Sequence, residues 1–190
     1  ERPFIKGYYH PMQWRRRRDF GTGTLGDMGC HMFSAWFRAL ALAAPVSVRH
    51  SGPAPLNTTN WANDCAVEYT FKGTAHTAGD TVKVMWYDGS VKPPQEVVAA
   101  AGGRLSGEGS VFIGTDGVIL FPHCGSLKGD RKTGAHLDLA GPLTEAVLLG
   151  CLASPFPGQL LEWDSAALKI TNHAEAHKLV RRSYRKGWEI

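Results

Sequence analysis

A carboxylate and an imidazole stand four residues apart in the segment Gly21-Thr22-Gly23-Thr24-Leu25-Gly26-Asp27-Met28-Gly29-Cys30-His31. On a helix that spacing puts Asp27 one turn before His31 on the same face, close enough to pair or to share a substrate. A neighbouring carboxylate favours the imidazolium and brings a histidine into the range of general acid/base work. The same spacing also suits Asp27 as a helix cap and His31 as a core histidine. Gly26 and Gly29 each cost a helix about 1 kcal/mol relative to alanine, which points to something approaching the backbone closely.

Other residue sets carry weaker signals. Arg15 to Arg18 beside Trp14 could contact phosphates, or form an ordinary solvated arm. Gly21-x-Gly23 lacks the third glycine of the dinucleotide fingerprint and follows no clear strand. His173 and His177 are spaced to share a metal, but Glu175 between them fits a capping box better. Cys30-His31 with His123-Cys124 is a second conceivable ligand set that only a fold could assemble. Neither set is complete in the sequence, and no metal is expected.

The chain that must position these groups has 190 residues, 43% of them hydrophobic and 20% charged. That supports one full core and excludes a disordered, collagenous or disulfide-scaffold chain. Much of the net charge of +4 comes from the arginine tetrad, so a nucleic-acid partner is not expected. The longest apolar windows, Met32 to Val48 and Leu143 to Ala153, contain Arg38 or are too short to cross a bilayer. Four cysteines without a CxxC pair read as reduced and mostly buried. The start Glu1-Arg2-Pro3-Phe4 suggests a piece of a longer product, without a recognisable signal peptide, which leaves cytoplasm and periplasm both open.

Residues 1–23 are expected to form an arm or linker, and 24–190 a domain. A helix begins near Leu25 and ends before Pro45, with Leu25, Met28, Met32, Phe33, Trp36, Phe37 and Leu40 on its apolar face and Asp27, His31, Ser34 and Arg38 on another. Period-two strands follow at Val46 to Val48, Ala66 to Phe71 and Thr81 to Tyr87. Asp88-Gly89 and Asp116-Gly117 mark turns, the second inside a hairpin. Val91 to Gly109 reads as a long loop able to cover a cleft. Pro142 suits the first position of an apolar helix that forms a buried spine. Leu160 to Trp163 and Leu168 to Ile170 read as edge strands, and Asn172 as the cap of a last helix ending by Gly187. The expected fold class is α+β, an open, mainly antiparallel sheet with helices on one face.

Several of these residues together resemble one family. Trp14-Arg15, then Gly21-x-Gly23-x-Leu25-Gly26-Asp27-x-Gly29-x-His31 and Pro45-x-Ser47-Val48, resemble the C-terminal domain of the Gfo/Idh/MocA oxidoreductases, which has a dihydrodipicolinate reductase-like fold. Trp86-x-Asp88-Gly89, Phe112-x-Gly114-x-x-Gly117, Ala140 to Ala146, Leu161 to Asp164 and the close Tyr184 to Trp188 are similar to a bacterial branch of it. The chain departs from that branch in the quick passage Pro122 to Gly129, and it lacks the Glu-Lys-Pro segment of the family's Rossmann domain.

The resemblance implies a parent enzyme in which a Rossmann domain holds NAD or NADP and this domain supplies the substrate wall. It implies His31 as general acid/base and Asp27 as its orienting or relay partner, acting on a sugar or cyclitol hydroxyl. Trp14 and Arg15 would reach the cofactor, and Tyr9, His10 and Arg15 the substrate. A homo-oligomer would form through the open sheet face. With no complete dinucleotide site, the chain alone is expected to be inactive. Two alternatives stay open: a non-catalytic oligomerisation or binding module, and a cofactor-assisted sugar lyase or glycosidase without net redox.

Overall fold

Alternation builds the sheet. In Cys65–Lys72 every second side chain, Cys65, Val67, Tyr69 and Phe71, is buried, while Glu68, Thr70 and Lys72 face away. A computed structural model describes residues 5–9, 12–123, 137–181, 184, 186 and 187. In chain order a 3-10 turn at Gln13–Arg16 leads to α1 (Gly23–Ala39), β1 (Ser47–His50), β2 (Cys65–Lys72), β3 (Thr81–Asp88), α2 (Gln95–Ala100), β4 (Gly109–Ile113), β5 (Val118–Pro122), α3 (Leu137–Ala153), β6 (Leu160–Asp164), β7 (Lys169–Ile170) and α4 (Ala174–His177). Five strands form one antiparallel sheet in the order β3-β2-β1-β6-β7, and β4 with β5 makes a separate hairpin. The fold is α+β with an open, mainly antiparallel sheet, as the periodicity predicts.

The register carries one apolar face across the sheet. Tyr69 lies opposite Val48 and Val84, Val67 opposite His50 and Trp86, and Leu161 opposite Val48. Leu25, Phe33, Trp36 and Phe37 of α1 and Leu143, Ala146, Val147, Leu149 and Leu152 of α3 complete the core. Phe33 stands edge-on to Tyr69 and Trp86, at 5.6 and 5.8 Å between ring centroids, the geometry that aromatic quadrupoles favour. Arg49, Glu68, Lys83 and Glu162 occupy the opposite face beside Met85, Tyr87 and Leu160, with Lys83 3.7 Å from Glu68.

Glycines let α1 and α3 approach each other. A methyl at Gly29 would meet Val147 Cγ2 at 3.0 Å, and one at Gly26 would overlap the Thr22 side chain and reach Cys151 Sγ at 3.2 Å. From α3, a methyl at Gly150 would overlap the Tyr69 hydroxyl and lie 2.6 Å from Leu25 Cδ2. What comes close to the Gly26 and Gly29 backbone is therefore the protein's own side chains.

Four expectations are corrected. The stretch expected as one long loop contains α2. Helix α3 starts at Leu137 with Pro142 inside it; a proline so near the start forfeits one intrahelical bond, which burial of the apolar run outweighs. Strand β6 is interior, because β1 has a second free edge and the fully buried Leu161 fills it. Helix α4 is a single turn capped by His173, whose Nδ1 accepts from Ala176 N at 3.1 Å. Asn172 instead bridges β6, accepting from Glu162 N at 3.0 Å and donating to Leu160 O at 2.9 Å.

Two stability predictions follow from this core. Gly150→Ala should destabilise the fold by about 1–3 kcal/mol, the usual range for overpacking, and Tyr69→Phe in that background should recover part of the loss; chemical denaturation measures both. His50 is enclosed in the core with no hydrogen-bond partner on either ring nitrogen among the described residues, and burial holds its pKa below the ordinary 6.5. The unfolded chain then takes up a proton that the folded chain refuses, so this contribution is complete above 6.5 and is lost as pH falls below it, by at most about 1.4 kcal/mol per pH unit. His50→Leu should flatten the acid side of the stability profile; an unchanged slope would refute the assignment.

Candidate functional site

The start of α1 is held from three sides. Trp61 Nε1 donates to Gly21 O at 2.7 Å, Cys151 Sγ donates to Thr22 O at 3.1 Å, and Trp61 N donates to Arg16 O at 2.9 Å. Gly21 lies so close to the preceding turn that a Cβ would sit 2.7 Å from Arg15 Cα. Gly23 has φ +74 and lies against Trp61, where a side chain would be strained. Both glycines of the Gly21-x-Gly23 pair therefore serve the chain's own packing.

The arginine tetrad is largely engaged within the protein. Arg17 Nη1 donates to Asn60 Oδ1 at 2.6 Å and its guanidinium lies 3.8 Å from the Tyr8 ring centroid. Arg18 Nε donates to Asn60 O at 3.1 Å, with its guanidinium over the Trp61 ring. Arg15 Nη1 lies 2.6 Å from Asp27 Oδ2. Such pairing with ring faces and acceptors replaces the freely solvated arm among the sequence alternatives.

Asp27 and His31 project from α1 into neighbouring clefts. Asp27 lines a cleft of about 330 Å3 with Trp14, Arg15, Phe20 and Gly26. His31 lines a larger one, about 630 Å3, enclosed by α1, the β4–β5 hairpin and the start of α3. The cap of α1 is Thr22 rather than Asp27, and His31 is exposed, so the cap and core-histidine alternatives both fail. Asp27 is bonded by Arg15 and turned to the smaller cleft, while His31 shares the larger one with Ser34 and Arg38 of the same helix. Across that cleft stands His123, its ring centroid 5.8 Å from that of His31 and tilted by 57°.

The remaining candidates fall in different places. Trp14 is 44% exposed, and Arg15 Nε has no partner among the described residues. The unpartnered Nε of Arg15 is buried, and the packed glycines offer a phosphate no cradle. Tyr9 packs edge-on against Tyr8 and Phe20 and lines neither cleft. His10, Cys124, and Arg185 and Trp188 of the Tyr184 to Trp188 run lie outside the described residues, as does most of Pro122 to Gly129. The Nδ1 atom of His173 is committed to the α4 cap, and no three His, Cys, Asp or Glu among the described residues gather to hold a metal.

Sequence reading joined His123 to Cys30 and His31 only as a conceivable metal set, and the fold does bring these three to one cleft, with Arg38 as a fourth member that the reading did not join to His123. Arg38 shares a face of α1 with His31, a signal already present in the 3.6-residue period. His123 reaches the cleft only because the hairpin docks there. Ser34, Ser110 and Thr144 add hydroxyls to the same walls.

The thiols differ in environment. Cys30 is exposed, the exception among the described cysteines to the expectation that most are buried, and donates weakly to Asp27 O at 3.5 Å. Cys65 and Cys151 are buried; burial pushes the Cys65 thiol far up and the Cys151 thiol up to about 12. The Asp88 carboxyl, also raised by burial, accepts from Cys65 N at 3.0 Å and Trp86 Nε1 at 2.8 Å.

Compared with known proteins, the chain matches no family model, and no curated protein matches it significantly. Peptide-resolved alkylation of the native protein at neutral pH should label Cys30 at least tenfold faster than Cys65 and Cys151, because reactivity needs exposed thiolate. Equal rates at the three positions would contradict the burial described here.

Proposed function

We propose that this chain is the substrate-binding and catalytic half of an NAD(P)-dependent oxidoreductase acting on a sugar or cyclitol hydroxyl, in the manner of the C-terminal domain of the Gfo/Idh/MocA enzymes. The observation that supports this best is the exposed His31 opening on the larger cleft, one helical turn from the Asp27–Arg15 ion pair. The family motif has its acid and its histidine at this same spacing, on a helix whose other face is core.

Bound NAD(P) would accept the hydride. On this chain His31 would take the proton from the reacting hydroxyl as its carbon becomes a carbonyl, and return it in the reverse direction. Asp27 would act as a positioning residue: it holds Arg15 at 2.6 Å beside Trp14, where those two would touch the cofactor. Held in this way by a fixed charge, the Arg15 side chain loses less freedom when a ligand arrives. Self-association through the open sheet face is part of the same reading, and the charged residues on that face would make the contact a polar one.

A second reading, an association module with an idle Asp27–His31 pair, draws on the β4–β5 hairpin, where Ile113, Ile119 and Leu120 are 62%, 64% and 45% exposed. The two readings separate in one experiment on the chain joined to its upstream sequence. His31→Ala should bind NAD or NADP as the parent does and lose about 100-fold or more in sugar-dependent reduction of the nicotinamide. If the joined protein binds no nucleotide and forms a stable oligomer, the module reading takes its place.

A further inference from the structure

The walls of the larger cleft are uneven in charge. Arg38 lines it together with His31 and His123, and among the described residues no aspartate or glutamate does. Glu108 and Asp138, adjacent in sequence to lining residues, stand outside the lining. Asp27 faces the other cleft and is neutralised by Arg15. Arg38, exposed on the last turn of α1, makes no ion pair with any described residue. Arginine has only donors, and an imidazole in either protonation state keeps at least one N–H to donate. Ser34 spends its hydroxyl proton on His31 O at 3.3 Å, but Ser110 and Thr144 add further donors. The cleft is thus rich in donors, carries a permanent positive charge, and at about 630 Å3 falls within the size range of small-molecule sites.

Spacing sets what would fit. His31 and Arg38 are seven residues apart, almost two turns, so their Cα atoms lie on one face about 10 Å apart along the axis. Both side chains open on the same cleft. A polyol ring with an acidic substituent is of the size to reach both.

We propose that this cleft binds a polyol bearing an oxyanion, a sugar carboxylate or sugar phosphate, with its acid group on Arg38 and its hydroxyls on His31 and His123. Arg38 then sets specificity by attraction: its guanidinium pairs with the acid group and gains nothing comparable from a neutral sugar. The inference rests on the reading of His31 as the group that meets a polyol hydroxyl, and it names the class of that substrate.

The test is calorimetric titration of glucuronate, glucose 6-phosphate and glucose into the chain, with Arg38→Gln and Arg38→Lys in parallel and circular dichroism to check folding. At least one of the two acids should bind ten or more times tighter than glucose, and which one does so separates carboxylate from phosphate recognition. Arg38→Gln should bring the acid to the affinity of glucose, while Arg38→Lys keeps part of the difference. Glucose binding as tightly as both acids, no binding by any of the three, or a preference that survives Arg38→Gln would overturn the inference. The oxidoreductase reading fails separately: if the acids bind in an Arg38-dependent way but the chain joined to its upstream sequence never reduces NAD or NADP with them, the anion site stands without the redox chemistry.

Discussion

The close approach of α1 to α3 is the constraint on which the rest depends. Gly26 and Gly29 on one helix and Gly150 on the other remove the methyl groups that would hold them apart. The cost in helix propensity is about 1 kcal/mol per glycine, and what offsets it is burial of Leu25, Val147, Tyr69 and their neighbours. Because α3 also bonds the first turn of α1 through Cys151 and the Thr22 carbonyl, the same packing that forms the core fixes where Asp27 and His31 point.

A second consequence concerns the arm. Residues expected as a linker are tied to the domain by Arg17 and Arg18 on Asn60, by the Trp61 indole on Gly21, and by Arg15 on Asp27. Arginine suits this use because its planar guanidinium can stack on a ring while its edge donates hydrogen bonds. The outcome is a polar wall beside α1 in which Asp27 has a partner before any ligand arrives. His31 is thereby left without a carboxylate partner on the larger cleft, which it shares with Cys30 and Arg38 of α1 and His123 of the hairpin.

Periodicity made most of the fold legible. The apolar face of α1, the alternation in β2 and β3, and the Asp116-Gly117 hairpin were readable because burial selects residues at 3.6 and 2.0 spacing. Boundaries were less so. Pro142 reads locally as a helix start, yet α3 reaches back to Leu137. Asn172 reads as a cap, yet its amide bridges the backbone of β6 while His173 caps. In each case packing outcompeted a local preference, about 3 kcal/mol for an interior proline and about 1 kcal/mol for a cap.

For the site, the sequence alone determined that Asp27, His31, Ser34 and Arg38 share one side of a helix whose other side is core, since four residues make nearly one turn. It also supplied the glycines without saying what they admit. Only the tertiary structure decided that Val147, Cys151 and Tyr69 fill that space, that Arg15 bonds Asp27, and that His123 stands across a cleft from His31. Those partners lie at sequence separations for which no local periodicity constrains distance. Their meeting depends on how the helices, sheet and hairpin pack, which is a property of the whole chain.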